Sequence, residues 1–196
     1  MKKTIRTLVL TTATFFCLPN LGAQITSINT SESSVHWLGK KLMGQHEGNI
    51  NLLSGSLIMD NGSLFGGAFV VDMNSITTSD LKGEEAKKLE VNLKSDEWFG
   101  VTKHPHAKLV FTSVVNQGNG LYNVIGNLTI KGKTNPTLFE FQVPGLEAKA
   151  KVIIDRTLYD ILHGSNSFFE NVKDKVIYND FEIDVNLKIS ESNLLQ

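Results

Sequence analysis

The chain has 196 residues, with 19 Lys and Arg residues against 20 Asp and Glu residues, and 41% of it is hydrophobic. This length and apolar fraction predict one globular domain with its own core and exclude an intrinsically disordered chain. A formal net charge of -1 disfavours nucleic-acid binding through a basic surface. No apolar run reaches the roughly 20 residues that a membrane helix needs, so we expect no integral membrane segment.

The first residues resemble a secretory signal. A cationic start, Met1-Lys2-Lys3-Thr4-Ile5-Arg6, precedes an apolar and hydroxylated stretch that ends at Leu21-Gly22-Ala23, where small residues suit signal peptidase. We therefore predict a signal peptide over residues 1–23 and one domain over residues 24–196. The product would be exported and soluble, either periplasmic or secreted.

The only cysteine, Cys17, lies inside this predicted signal. The residues before it, Thr14-Phe15-Phe16, are not the small residues that precede the modified cysteine of a bacterial lipoprotein. We therefore expect no lipid anchor. Without Cys17, the exported chain would have neither a disulfide nor a zinc–thiolate site.

Alternating apolar and polar residues dominate the rest of the chain. In residues 181–189 the odd positions are apolar and the even positions polar, which is typical of a half-buried antiparallel strand. Similar runs cover 35–38, 49–53, 65–73, 107–115, 122–130, 137–143 and 148–154. Turn pairs separate several of these runs, namely Asn61-Gly62, Asn119-Gly120, Lys131-Gly132 and Pro144-Gly145. The pattern predicts an all-β fold of about eight strands, as a sandwich or an antiparallel barrel, with a type I′ hairpin at Asn61-Gly62.

One segment interrupts the strands. Residues 83–89 contain helix formers with acid–base pairs three and four positions apart. Ser95-Asp96-Glu97 then indicates an N-cap with acidic residues in a first helical turn that ends at Gly100. We expect a short helical insertion around residues 80–99 that covers one end of the fold.

Several segments carry a family resemblance in a fixed order along nearly the whole exported chain. They are Val35-His36-Trp37, Leu53-Ser54-Gly55-Ser56-Leu57, Asp72-Met73-Asn74-Ser75-Ile76-Thr77-Thr78, Leu93-Lys94-Ser95-Asp96-Glu97-Trp98-Phe99, His104-Pro105 and Gly126-Asn127-Leu128-Thr129-Ile130-Lys131-Gly132-Lys133-Thr134-Asn135-Pro136. On these residues the chain resembles the YceI-like family of lipocalin-like, polyisoprenoid-binding exported proteins. It departs from the family pattern at three places: Lys41 and Asn92 stand where histidines are common, and Glu97-Trp98 replaces an Asp-Phe pair.

The resemblance implies an extended eight-stranded antiparallel barrel with the helix closing one side. It also implies a long interior pocket for a quinone tail or a polyprenyl chain, with no enzymatic activity and no cofactor. A barrel of about eight strands has room for its own side chains or for one small ligand. The alternative is a packed barrel that acts as a periplasmic stress-response or protein-interaction module without a lipid. Whether two copies pair as a homodimer stays open.

Strand alternation and the segment after the helix predict the residues that would contact the apolar chain. They are Trp37, Phe69, Val71, Trp98, Phe99, Phe111, Phe139, Phe141, Phe168, Ile183 and Val185. Leu109 and Ser113 share the predicted face of Phe111. Ordinary core packing is the alternative for each of them, because aromatic residues at strand spacing are usually buried in the core.

Selectivity for a headgroup requires polar residues at the cavity mouth. Arg156 and Tyr159 are the candidates, since they follow a strand directly. The alternative for Arg156 is a surface ion pair or stacking on its neighbours. Phe168-Phe169 would provide a gate or a membrane contact, or else one ring in the core and one at the surface.

Other chemistry has little support in the sequence. His104-Pro105-His106 places two imidazoles on one strand face, but a metal site needs a third ligand and the proline restricts the geometry. Lys40-Lys41 and His46-Glu47 indicate a polar loop rather than an acid–base pair. No Gly-x-Ser-x-Gly, phosphate-loop or His-Glu-x-x-His pattern occurs, so no residue pattern supports an enzyme. With what the family resemblance implies, we predict a non-enzymatic carrier of an apolar lipid with no metal.

Overall fold

The structure, a computed structural model, describes residues 22–164 and 177–190. Within them eight antiparallel strands form a closed barrel, in which consecutive strands pair and the last pairs with the first. The strands are β1 Gln24–Lys41, β2 Gly44–Asp60, β3 Ser63–Thr78, β4 His106–Gly118, β5 Leu121–Ile130, β6 Lys133–Gln142, β7 Glu147–Asp155 and β8 Ile177–Ile189. The predicted eight-stranded barrel is confirmed. The predicted signal peptide lies almost wholly outside the described residues.

Tight turns connect most neighbouring strands. Asn61 and Gly62, between β2 and β3, have φ values of 48° and 76°. A type I′ turn needs positive φ at both of its central residues, and asparagine and glycine tolerate this at little steric cost. The short connection fixes β3 beside β2, as the sequence predicts.

The helical insertion contains one helix, α1 (Gly83–Lys94), and the predicted role of Ser95 as an N-cap is wrong. The Ser95 backbone N–H and its Oγ both donate to the Asn92 carbonyl, at 3.0 and 2.7 Å. Ser95 therefore ends α1, and a hydrogen-bonded turn follows over residues 96–99. A serine hydroxyl can satisfy a carbonyl at the end of one helix as well as an N–H at the start of another, so the sequence suits both.

The pairing of β6 with β7 is short. These strands pair only at Phe141 with Ala150 and at Gln142 with Lys149. Farther along, a 3-10 helix, Arg156–Tyr159, follows β7 and contacts β6, where the Asn135 side chain donates to the Leu158 carbonyl at 2.9 Å. The wall at this end of the barrel thus includes a helical segment as well as strands.

An irregularity in β4 corrects one predicted face. The register between β4 and β5 shifts between Phe111 and Ser113. Phe111 is buried, but Ser113 is exposed and Val114 packs against the core instead. A β-bulge inserts one residue and reverses the alternation beyond it, so Ser113 does not share the inward face of Phe111.

Candidate functional site: a cavity at one end of the barrel

One end of the barrel encloses a cavity of about 380 Å³. All eight strands contribute to its lining, together with Leu89, Asn92 and Leu93 of α1. Most of the lining is apolar, and the volume lies within the range of roughly 300–1,000 Å³ that is usual for small-molecule sites. The cavity is therefore the candidate ligand site.

Four phenylalanines form the inner boundary of the cavity. Phe69, Phe111, Phe139 and Phe141 line it, and the ring centroids of Phe111 and Phe141 lie 5.4 Å apart. A Cβ at Gly67 would lie 2.9 Å from the Phe111 ring and 3.2 Å from a Leu57 methyl group. Since Leu57 is fully buried and does not line the cavity, the rings separate the cavity from a packed end of the barrel.

A tryptophan is fixed in the cavity wall by a hydrogen bond across a strand. Trp37 Nε1 donates to the Thr77 carbonyl at 3.0 Å, although Trp37 is in β1 and Thr77 is in β3. Gly48 of β2 lies between them, and a Cβ there would approach the Thr77 oxygen to 1.8 Å. Only glycine leaves room for this contact. The Trp37 ring is thus held in one orientation against the cavity.

A chain of three polar side chains lies beside α1. Lys41 and His46 line the cavity, and Lys41 Nζ lies 3.2 Å from His46 Nε2. His46 Nδ1 lies 2.8 Å from Asp80 Oδ2. Burial alone would raise the pKa of Asp80, but hydrogen bonds from Thr78, His46 and the Glu47 N–H outweigh it and lower that pKa to about 2.

Because Asp80 is ionised, the positions of the protons along these three side chains follow. A carboxylate can only accept, so His46 carries its proton on Nδ1 when the imidazole is neutral. Nε2 then carries a lone pair, which accepts a hydrogen bond from the Lys41 ammonium. Sequence reasoning missed His46 and Asp80, although the alternation Val35, Trp37, Gly39, Lys41 already places Lys41 on the inward face of β1.

Arg156 lines the cavity and also ties the barrel together. It is 2% exposed, and its guanidinium donates to four backbone carbonyls, those of Ile161, His163, Ile177 and Tyr178. Its Cζ lies 5.5 Å from the centre of the Trp98 ring. Burial lowers the pKa of Arg156, and Asp155 opposes that shift. Arg156 thus lies at the cavity and over the Trp98 ring, and it is not a surface ion pair. Its contact with a headgroup stays a prediction.

Tyr159 lies elsewhere. It is 2% exposed and is not among the residues that line the cavity. Burial raises the pKa of the Tyr159 phenol, while a hydrogen bond with Asn135 of β6 lowers it. Tyr159 thus packs where the 3-10 helix meets β6, instead of at the predicted cavity mouth. A residue just after a strand can be turned back into the core by a helical turn, which the sequence did not reveal.

The predicted apolar contact residues that the structure describes all line the cavity: Trp37, Phe69, Val71, Trp98, Phe99, Phe111, Phe139, Phe141, Ile183 and Val185. Their contact with a ligand stays a prediction. Phe168 and Phe169 lie outside the described residues. Across residues 22–164 and 177–190, no three His, Cys, Asp or Glu side chains form a group that could hold a metal ion. α1 and the other helical segment of these ranges are too short or too polar to cross a bilayer.

Comparison with sequence families gives a match over most of the chain. A family model described as the YceI-like domain matches residues 27–189. A UPF0312 protein of Pectobacterium carotovorum is 32% identical over 114 residues, which cover 52% of this chain and 58% of that protein. A UPF0312 protein of Shewanella denitrificans is 30% identical over 98 residues, or 50% of this chain and 49% of that one. The chain thus spans about half the length of these curated relatives.

Solved structures share the barrel. BcnA of Burkholderia cenocepacia superposes with a TM-score of 0.66 at 19% identity, covering 82% of this chain and 98% of that one. A polyisoprenoid binding domain from Saccharophagus degradans, implicated in plant cell wall breakdown, gives a TM-score of 0.58 at 14% identity, covering 84% and 98%. At these identities the likeness shows a common fold.

Proposed function

Because the chain belongs to the YceI-like family, we propose that it is a non-catalytic carrier that holds the long apolar chain of a lipid, such as a polyisoprenoid, inside its barrel. The observation that carries the proposal is the apolar cavity of about 380 Å³ beside a packed end of the same barrel. The fold shared with a polyisoprenoid binding domain of Saccharophagus degradans supports the same class of ligand.

The lining explains how such a chain would bind. Each CH₂ group removed from water contributes roughly 0.8 kcal/mol, so a few isoprene units give useful affinity before the entropic cost of binding is subtracted. The phenylalanine rings and branched side chains offer no directional contact along the tail. Because one methylene changes binding by only ~1–3 kcal/mol, this wall would accept tails of similar width with weak discrimination.

The carrier would act outside the cytoplasm, in the periplasm or beyond the cell, where a free lipid tail needs shielding from water. The cationic and apolar N-terminal residues support export. A packed barrel that binds only proteins is the competing function, and the volume of the cavity speaks against it. Such a barrel would not gain stability from a lipid.

The test begins with native mass spectrometry on the protein purified from its own host, followed by organic extraction of any bound molecule. A stoichiometric isoprenoid or quinone would support the carrier. Farnesol added to lipid-free protein should raise the thermal midpoint, because a ligand that binds only the folded state stabilises it. If no adduct is found and no added polyprenyl lipid raises the midpoint, the carrier proposal fails.

A pair of variants on β7 localises the effect. Ala150 lines the cavity, so Ala150→Phe should project a ring into it and abolish the farnesol-induced shift. Ile153 lies on the outer face of the same strand and is 60% exposed, so Ile153→Phe should keep the shift. Equal shifts in both variants would place the lipid outside the cavity.

A further inference from the structure

The charged residues of the cavity lining are mostly cations. The chain as a whole has a formal net charge of -1, yet among the described residues Lys40, Lys41, Lys108 and Arg156 line the cavity against a single acid, Asp180. Two of these cations, Lys41 and Arg156, lie at the same end. Lys41 pairs with Ile177 across β1 and β8, and the Ile177 carbonyl accepts from Arg156 Nη2 at 3.2 Å.

In the part of the chain that the structure describes, neither of these two cations forms a salt bridge with a carboxylate, although Asp155 is near enough to Arg156 to oppose the lowering of its pKa. Lys41 contacts the imidazole of His46, and Arg156 bonds to backbone carbonyls. The neighbouring Lys40 differs: it too is among the lining residues, but its ammonium is already paired with Glu182. A cation beside an apolar cavity that is not paired directly with a carboxylate is costly, and an anion bound there would offset the cost.

Both cations keep N–H donors that the described residues do not use. Four of the five N–H groups of Arg156 donate to carbonyls, and the fifth has no acceptor among the described residues. Lys41 has three N–H groups, of which the His46 lone pair takes one. Asp80 and His46 therefore position the Lys41 ammonium and leave two donors for an anion. Asn92 of α1 also lines the cavity.

We propose that Lys41 and Arg156 bind the anionic headgroup, a phosphate or carboxylate, of a lipid whose tail lies in the cavity. The inference rests on the proposed function, because it adds headgroup selection to tail binding. Charge-assisted hydrogen bonds from ammonium and guanidinium groups suit such oxygens and are stronger than neutral ones. His46 and Asp80 are positioning residues.

The test compares ligands that share one tail. Lipid-free protein is titrated with farnesyl phosphate, farnesol and inorganic phosphate. The signal is fluorescence from Trp37 and Trp98, the only two tryptophans, which both line the cavity. We expect farnesyl phosphate to bind at least about tenfold more tightly than farnesol, as one charge-assisted hydrogen bond would give. Inorganic phosphate should bind far more weakly than either.

Variants assign the preference to the site. Lys41→Met should remove most of the preference for farnesyl phosphate and leave farnesol affinity within about twofold, while Lys41→Arg should retain the preference. Lys40→Met makes the same change of charge at the adjacent residue and should retain it too. Thermal midpoints show that each variant folds, and farnesol binding shows that each still has its cavity.

The outcomes separate the two proposals. Equal affinity of the wild type for farnesol and farnesyl phosphate, or an unchanged preference in Lys41→Met, overturns the headgroup site and leaves the carrier intact. Equal losses of this preference in Lys41→Met and Lys40→Met would mean that the general positive charge at this end attracts the headgroup, and would overturn the specific site. Inorganic phosphate that competes at the concentration of farnesyl phosphate would make free phosphate the ligand. Failure of both farnesyl ligands to bind contradicts the carrier itself.

Discussion

The two ends of the barrel use the same kinds of inward side chain, but one end is packed and the other is hollow. Strand β7 runs from the packed end to the hollow end. Ala148 is fully buried in the packed end, while Ala150, the next residue on the same face, lines the cavity. Beyond Ala150 the pairing of β6 with β7 ceases, and the 3-10 helix joins the wall. The strand pairing is thus interrupted at the end of the barrel that holds the cavity.

The largest expected effect on stability is a difference between two leucines, one in each end of the barrel, when each is truncated to alanine. Leu57 is fully buried in the packed end, so Leu57→Ala should cost about 4 kcal/mol of the free energy of unfolding, because it leaves a cavity among close-packed neighbours. Leu109 is half-buried and already borders empty space, so Leu109→Ala should cost about 1 kcal/mol. Urea unfolding of lipid-free protein measures both. Equal costs would contradict the division into packed and hollow ends.

Insertion of a large ring tests the same division from the opposite side. Ala148→Phe should lower the free energy of unfolding by about 3 kcal/mol, because the packed end has no space for the ring. Ala150→Phe should change it by less than about 1 kcal/mol, since the ring enters the cavity. The same urea titrations measure these values. A larger cost at Ala150 than at Ala148 would mean that the cavity collapses in solution.

A glycine pair tests how firmly the wall of the hollow end is held. Gly48→Ala forces a Cβ against the Thr77 oxygen and should cost roughly 2 kcal/mol, because it disrupts the hydrogen bond from Trp37. A Cβ at Gly39 would lie 3.9 Å from the Trp37 ring, an ordinary contact, so Gly39→Ala is the matched control and should be nearly neutral. Tryptophan fluorescence and urea unfolding would follow both variants. A neutral Gly48→Ala would mean that β2 and β3 separate easily here.

Alternation predicted every strand of this barrel because burial on one face enforces period two over many residues. It could not separate cavity from core, since Val185 and Leu187 of β8 look alike in the sequence. Only Val185 is half-buried, and Leu187 lies at the boundary with the packed end. The bulge near Ser113 has no clear sequence signature, so alternation placed that residue on the wrong face.

The polar part of the site depended on register and not on composition. His46 comes directly opposite Gly39 when β1 pairs with β2, and this brings its ring toward Lys41. Asp80 follows β3 and reaches His46 only because β3 lies beside β2. Lys41 and His46 are five residues apart, but Asp80 is 34 residues beyond His46 and joins them through strand pairing. A reading of Lys40-Lys41 and His46-Glu47 as a polar loop could not foresee this.

The smallest expected effect compares two carboxylates whose pKa values are both lowered to about 2: Asp80 beside the cavity and Glu182 outside it. Hydrogen bonds from Lys151 and Lys40 lower the pKa of Glu182. A carboxyl with a lowered pKa in the folded state stabilises the fold above its unfolded-state pKa. That stability is lost as the pH falls from about 5 to about 2. Asp80→Asn and Glu182→Gln should therefore each flatten the decline of the unfolding free energy over this interval.

The two variants should differ in ligand binding at neutral pH. Asp80 fixes the His46 proton and so the Lys41 ammonium, whereas Glu182 pairs with Lys40 and Lys151. Asp80→Asn should weaken farnesyl phosphate binding and leave farnesol binding unchanged, while Glu182→Gln should change neither. Because both substitutions remove one negative charge, a general electrostatic effect would act equally in the two. If Glu182→Gln weakened farnesyl phosphate binding as much as Asp80→Asn, charges on the outer face would govern the headgroup, and the inner polar chain would have no special part in it.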